Sequence, residues 1–578
     1  MRTWSRFSLA IFLAGSFAGV AVAQTQTADQ TKPPASNSYG VPVTTVDQAI
    51  DRITAREHDE VAVIRRYSPI VETYVQDMKA DPAMGMVPIH DHYYLGQANL
   101  SNGITDDSML DKKKKNKIEA LNPFSHGEGS SSSSGPAPSY VPEGFLQMVY
   151  IDPNGFDRQH YEFNYVGREF LGEVRCLVFD ITPLPKTGKG RFNGRIWAED
   201  QGFAIVRFNG MYTSGSDFTG YNLHFDSWRL NLQPDLWLPA FVFSQESDLK
   251  STGNNTRFKA QTRLWGYNLT SAGRQQEFSQ LTVESPDAIE DHNATVDRTP
   301  IEVEREWQQQ AEVNVTNRLE RIGLLAPRGE VDKVLETVVN NLEVTNNLDL
   351  DIHCRVMLTG TLESFSIGHT IVLSRGLVDV LPDEASLATM LAQELASIIV
   401  TKPSTDQWGF NDTTNVTAAE ALSRFSFKAT PAEVDMADKK ALELLKHSPY
   451  ADKLGNSGLF LKQLSADSTA LPSLISARLG NSVGLSSALL TLGPPLQPDK
   501  LDQIAALPIG GRLKVNPWDD RAELLKAKPV ALSSAREKMA FEVTPFLPFL
   551  TRYHDAKRPG KPDTSSLASK DATHKSNQ

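Results

Sequence analysis

The stretch Glu363–Val400 reads ESFSIGHTIVLSRGLVDVLPDEASLATMLAQELASIIV, and it parses into a strand followed by a buried helix. Thr370 to Leu373 is a short run rich in β-branched residues, bounded by Gly368 and Gly376, which predicts a strand. Asp383 and Glu384 follow Pro382 and open the next element, where the dipole of a helix N-terminus favours acidic side chains. Leu387, Leu391, Leu395 and Ile398 then recur at steps of four and three, the apolar stripe of a core helix. The middle of that helix is Gln393-Glu394-Leu395-Ala396-Ser397.

This layout resembles the zinc metallopeptidases of the heat-shock protease HtpX and CAAX prenyl protease type, including their soluble periplasmic branch. In that family a strand ending in Asn-Ala-Phe and an edge strand Gly-Gly-x-Ile-x-Val lead through Gly-Leu into a His-Glu-x-x-His helix. Glu363-Ser364-Phe365, Gly368-His369-Thr370-Ile371-Val372 and Gly376-Leu377 stand at those places. Downstream, Asp435 to Leu445 (DMADKKALELL) is similar to the family's Glu-x-Glu-Ala-Asp-x-x-Ala-x-x-Leu-Leu helix. The resemblance covers roughly Arg328 to Ser465, about a quarter of the chain.

The resemblance implies a site whose chemistry this chain has lost. Two His one helical turn apart ligate zinc in such peptidases, and the Glu between them activates the bound water. Gln393 and Ser397 occupy the two His positions, and Val434 occupies the place of the third ligand, four residues before Asp438. Glu433 lies one residue off that register, which turns it about 100° around a helix. Glu394, at the position of the general base, and Asp438, at a supporting position beside the metal, remain. The only histidine between Gln393 and Thr551 is His447, between three and four turns past Val434. An amide and a hydroxyl are poor zinc ligands and a valine is none. The expectation is an inactive peptidase fold with no metal and no other cofactor, in which Glu394 keeps at most a structural role.

The first residues read as an export signal: Arg2 and Arg6, the apolar run Leu9 to Val22, and Ala21-Val22-Ala23 as a cleavage site before Gln24. The run is short for a membrane span, no cysteine follows it, and no later stretch is long and apolar enough to cross a bilayer. An exported protein, periplasmic or extracellular after cleavage near Ala23, is expected. Removing residues 1–23 takes away two of the 58 basic residues and leaves 56 against 70 acidic, a net charge of −14. That balance argues against nucleic acid or anionic lipid as the main partner. Cys176 and Cys354 read as two lone buried thiols, with a disulfide between them as the alternative in an oxidising compartment.

Residues 24–43 are rich in Thr, Gln, Pro and Ser, a disordered leader. A helix is predicted from Thr44 to Arg66, ended by Pro69, and then a strand in which Val71, Thr73 and Val75 alternate with Glu72, Tyr74 and Gln76. Residues 111–142 are of low complexity, with Lys112 to Lys115 and Ser130 to Ser134, and read as a solvated insertion. Phe145 to Val283 carries strand grammar: short apolar runs, Met148, Tyr150 and Ile151 among them, separated by turn signals such as Asp152-Pro153-Asn154-Gly155. An entry helix, one strand and a long meander resemble the half-barrel of the lipoprotein carriers LolA and LolB, with Gly194 to Arg207 the most similar hairpin. That resemblance implies an apolar cradle for an acyl chain or an exported polypeptide; the other reading is that Trp197, Trp228, Trp237 and Trp265 fill a closed core.

Residues 284–327 form a connection whose helix, Pro300 to Arg321, is polar, and 328–500 are the peptidase-like helical domain, opened by the stripe Val331, Val334, Leu335, Val338, Val339 and Leu342. Residues 501–554 are a C-terminal segment of short mixed pieces and 555–578 a disordered tail. The fold class is thus α+β and multidomain: an antiparallel half-barrel β domain over 44–283, followed by a mostly helical metallopeptidase-like domain with a small sheet. His90-Asp91-His92 places two imidazoles on one face of an extended chain, but two ligands make a weak metal site, and a polar turn after Pro88 is expected. There is no Gly-rich phosphate loop and no Gly-x-Ser-x-Gly elbow, and Glu420 has no histidine near it. The expected role is non-catalytic binding or assembly in the cell envelope, on a polypeptide or lipidated client. The alternatives are an active zinc metalloendopeptidase with a non-standard site, and a lipid or lipoprotein carrier working through the β domain.

Overall fold

Thr45 starts helix α1 (Val46–Ile64) with a capping box, its side chain accepting from Gln48 N while Gln48 reaches back. Ala49, Ile50, Ile53, Val61 and Ile64 form the buried stripe of that helix, which lies on an antiparallel sheet. The sheet begins with β1 (Ile70–Asp81) and β2 (Gly85–Ala98), and β3 (Asp106–Ser108) lies beyond β2. After a short helix α2 (Pro142–Gln147), seven strands run as a meander: β4 (Tyr161–Leu171), β5 (Val174–Pro183), β6 (Phe192–Glu199), β7 (Ile205–Tyr212), β8 (Leu223–Gln233), β9 (Leu236–Glu246) and β10 (Arg257–Trp265). The last strand of the meander returns to pair with the first of the region, Ile70 opposite Trp265, so the order is β3-β2-β1-β10-β9-β8-β7-β6-β5-β4. The sheet is open, with β3 and β4 at its edges.

The computed structural model describes residues 44–82, 85–98, 100, 106–108, 142–188, 190–213, 223–246, 257–267, 300–401, 425–483, 488–497, 506–507, 509, 512–515, 520–524 and 541–553. The expected signal peptide, leader, low-complexity insertion, C-terminal tail and Glu420 lie outside the described residues.

The second region is mostly helical: α3 (Pro300–Arg321), α4 (Glu330–Thr345), α5 (Arg375–Val380), α6 (Glu384–Val400), α7 (Pro431–Lys446), α8 (Gly455–Asp467) and α9 (Pro472–Ile475). It holds a small mixed sheet of β11 (His353–Met357), β13 (Thr370–Ser374), β12 (Glu363–Ile367) and β14 (Asn481–Ser482) in that spatial order, with β11 and β13 parallel and the other pairs antiparallel. A two-stranded ribbon, β15 (Leu513–Val515) with β16 (Ala522–Leu524), completes it. The α+β class expected from the sequence is therefore present: a large open antiparallel sheet, then a mostly helical region with small sheets.

Both faces of the large sheet are covered. One carries Val71, Val75, Phe179, Phe208, Phe225, Phe258 and Leu264 and packs against α1 and the segment around α2. The other carries Tyr74, Cys176, Trp197, Trp228, Trp237, Phe241 and Trp265, and its core is continuous with Leu325, Leu377 and Leu395 of the helical region. All four tryptophans thus fill a core rather than an open cradle. Cys176 and Cys354 are both buried and free.

Polar residues of the strands are drawn into this second contact. Glu72 on β1 bonds Arg375 and the backbone N–H of Gly360 and accepts from Tyr93 Oη at 2.7 Å. Gln76 donates to Phe541 O at 2.6 Å and accepts from Val543 N at 2.8 Å. Residues 541–553 then cross the sheet: Phe546 meets Phe241 edge-on at 5.6 Å, Leu550 O accepts from Glu173 N at 2.9 Å, and Arg552 pairs with Glu199 at 2.7 Å. Gly172, at φ +71°, lies so close to the Leu550 backbone that a side chain would collide with it.

Two local expectations are corrected. His90-Asp91-His92 is not a turn but lies inside β2, because Asp77 and Val75 of β1 pair with His90 and His92. Asp91 is buried and accepts from Ser473 N at 2.9 Å, Leu474 N at 2.7 Å and Tyr74 Oη at 3.1 Å, so it caps α9. Met148, Tyr150 and Ile151 form no strand; they follow α2 in a turn whose side chains plug the first core.

Candidate functional site

Helix α6 begins at Asp383, whose carboxylate accepts from Ser386 N at 2.9 Å, and its apolar stripe is sealed against the small sheet. That packing fixes Glu394, only 2% exposed, over strand β12. Ser364 of β12 donates its hydroxyl to Glu394 Oε1 at 2.6 Å, while Oε2 has no hydrogen-bond partner. Burial raises the Glu394 carboxyl from its ordinary 4.5 to about 7; the Ser364 bond opposes this and the nearby Asp438 charge adds to it.

Helix α7 lies alongside α6 and supplies the opposite wall. Thr430 caps it and Glu433 closes the capping box, accepting from Thr430 N and Oγ1 at 2.7 Å each. Those bonds hold the Glu433 carboxyl below its usual range. They also explain why Glu433, one residue from the ligand position, is an end-cap and not a donor to the site. Asp438 is buried and accepts from Gln393 Nε2 at 2.8 Å. His447 is the residue that ends α7, its Nδ1 3.1 Å from Glu443 O, and it lies outside the cavity wall.

Gln393, Glu394, Ser397, Val434 and Asp438, the five positions singled out from the sequence, line one cavity of about 410 Å³. The rest of its wall includes Lys428, Asp435, Asn481 and Ser482. Asn481 Oδ1 accepts from Ala429 N at 2.8 Å, which ties edge strand β14 to the segment before α7. That segment is held from below by Phe427 stacked on Phe365 at 4.7 Å. Gly480 is required where the chain turns into β14, since a Cβ there would strike Phe365 and the Ser364 carbonyl.

Ser364, Lys428, Asn481 and Ser482 were not singled out from the sequence. Ser364 alone carried a signal, as the hydroxyl of the Glu363-Ser364-Phe365 strand. Its neighbour Glu363 is a structural anchor: Oε2 accepts from the backbone N–H groups of Arg478, Leu479 and Gly480 at 2.9, 2.9 and 3.0 Å.

The side chains at the three implied ligand positions do not fit a zinc ion. Gln393 commits its amide to Asp438, Ser397 offers a hydroxyl and Val434 a hydrocarbon. Among the described residues no cluster of three or more His, Cys, Asp or Glu side chains is arranged to hold a metal. What remains is a buried acid whose carboxyl is raised to about 7 and one of whose oxygens has no hydrogen-bond donor.

No family model matches the chain, and no curated protein does. Among solved structures, a crystal structure of a DUF1329 family protein from Desulfovibrio piger is similar over 38% of this chain and 94% of that one, at 10% identity and a TM-score of 0.18. Among the described residues no helix is long and apolar enough to cross a membrane.

Proposed function

We propose that this protein is a non-catalytic binding factor of the cell envelope. In this reading the region around 328–465 has the fold of a zinc metallopeptidase without its ligands and holds an exported polypeptide client in the cavity beside Glu394. One observation carries the reading: Glu394 keeps a buried, unpartnered oxygen in a 410 Å³ cavity, while the three positions that would bind zinc hold Gln393, Ser397 and Val434. A carboxylate of this kind gains most from an incoming N–H donor, which a peptide backbone or an ammonium group supplies. The export signal read from Arg2 to Ala23 supports the compartment. A lipid-carrier role through the sheet has weaker support, since the chain itself covers both sheet faces.

The test uses a reduced, carboxymethylated polypeptide as client. The protein is expected to bind it, to leave it uncut with added zinc or with chelator, and to lose affinity at least tenfold in Val434→Trp, which fills the cavity. Chelator-sensitive cleavage abolished by Glu394→Gln would overturn the proposal, and so would binding unchanged in Val434→Trp.

A further inference from the structure

On the sheet face that meets the helical region, Arg263 of β10 is 8% exposed, and its Nε and Nη2 atoms have no hydrogen-bond partner. The nearest carboxylates are already committed. Glu72 binds Arg375, Tyr93 and Gly360 N. Asp379 accepts from the backbone N–H groups of Arg512 and Leu513 at 3.1 Å each. Arg263 instead lies over the Phe241 ring at 5.4 Å. Burial and the neighbouring Arg375 charge lower it to about 10, against the attraction of Asp379 and Glu72, so it is still a cation at neutral pH.

This guanidinium lines a second crevice, of about 60 Å³, together with Arg375 and Lys514. The remaining wall is apolar: Leu232, Trp265 and Val515 among others, with Phe546 and Pro548 of the C-terminal segment closing it. Such a volume holds several water-sized groups, enough for a carboxylate and its first carbons but not for a long acyl chain. A buried cation without a hydrogen-bonded counter-ion is an unfavourable feature for a core to carry. A charge kept in that state beside an open crevice is a receptor for an opposite charge.

We infer that the crevice between β8–β10, the β15–β16 ribbon and residues 541–553 is a binding site for a small organic carboxylate, with Arg263 as the group that recognises the anion. Apolar walls favour a carboxylate with a short hydrocarbon tail over a fully hydrated inorganic anion, whose desolvation nothing here offsets. The site is independent of the Glu394 cavity and of the function proposed for it.

The test is calorimetric titration of the full protein with hexanoate, hexan-1-ol and inorganic phosphate, read in parallel by intrinsic tryptophan fluorescence. Hexanoate is expected to bind one to one, and the alcohol and phosphate at least tenfold more weakly. Arg263→Met is expected to weaken hexanoate at least tenfold with Tm unchanged or raised, because it removes an unpaired buried charge. Ala240→Leu, which narrows the crevice without touching a charge, is expected to weaken hexanoate as well and keeps the test available should Arg263→Met fold poorly. Hexanoate affinity unchanged in a folded Arg263→Met, or unchanged in Ala240→Leu, would overturn the inference. So would phosphate binding as tightly as hexanoate, or no binding of hexanoate at tens of millimolar.

Discussion

On the face of the large sheet that carries α1, Arg229 is completely enclosed and gives Nη1 and Nη2 to Glu57 at 2.6 and 2.7 Å, with Glu60 at 3.1 Å. On the opposite face Arg263 is nearly as enclosed, yet among the described residues it meets no carboxylate within ion-pair distance. The helical region repeats the contrast with acids. Glu363 is saturated by three backbone N–H groups, whereas Glu394, on the helix packed against that strand, leaves one oxygen unmet. A buried charge met by opposite charges or by hydrogen-bond donors is architecture. An unsatisfied one beside a cavity marks where the molecule has room for something else.

The largest effect should come from the ion-paired cluster around Arg229. Arg229→Met strands Glu57 in the core and leaves Glu60 with Arg56 alone, and a loss of about 3–5 kcal/mol in chemical denaturation is expected. A loss under about 1 kcal/mol would break the comparison with Arg263. Glu363→Ala should follow at about 2–3 kcal/mol, since it orphans three backbone donors. Its measurement is the midpoint shift in urea at unchanged slope.

Glu394 makes the opposite prediction, and it depends on pH. Its carboxyl is raised from 4.5 to about 7 in the fold, so the ionised form is disfavoured there. Below the lower value the group is neutral in both states and contributes no penalty. Between the two values stability falls as pH rises, and above the upper one the penalty is constant, at most about 3 kcal/mol. Glu394→Gln should therefore be more stable than the wild type at pH 8 and equal to it at pH 4. Parallel unfolding curves for the two proteins across that range would remove Glu394 from the account. The smallest effect belongs to Arg195–Asp180, a pair at 2.7 Å that is exposed on both sides. Arg195→Ala should cost less than about 0.5 kcal/mol in thermal unfolding.

Much of this was legible in the chain because it is local. The periodicity of Thr44 to Arg66 and of Leu387 to Ile398 predicted α1 and α6. The resemblance to zinc metallopeptidases pointed to five residues between Gln393 and Asp438 that the structure gathers around one cavity. What was not legible depends on contacts far apart in sequence. Along β10, Phe258, Ala260 and Leu264 alternate with Lys259, Gln261 and Arg263, a pattern that reads as one buried and one solvated face. Nothing within the strand indicates that residues 541–553 and the helical region lie over the polar side. The His90-Asp91-His92 turn failed for the same reason: Asp91 finds its donors in Tyr74 and in Ser473 and Leu474, nearly four hundred residues on. Gln393 and Ser397 stood out as the positions where the resemblance implies zinc ligands, but the bond that occupies Gln393 appears only once α7 is set beside α6.

The claim that the Glu394 cavity has the shape of a zinc site and lacks only its donors is tested most directly by metal content. Wild-type protein and the triple variant Gln393→His, Ser397→His, Val434→Glu are each dialysed against zinc, then against buffer, and analysed by mass spectrometry for bound metal. The account predicts zinc at background in the wild type and about one equivalent in the triple variant, whose cavity then offers two imidazoles and a carboxylate. One tightly held equivalent in the wild type, or none in the variant, would contradict it.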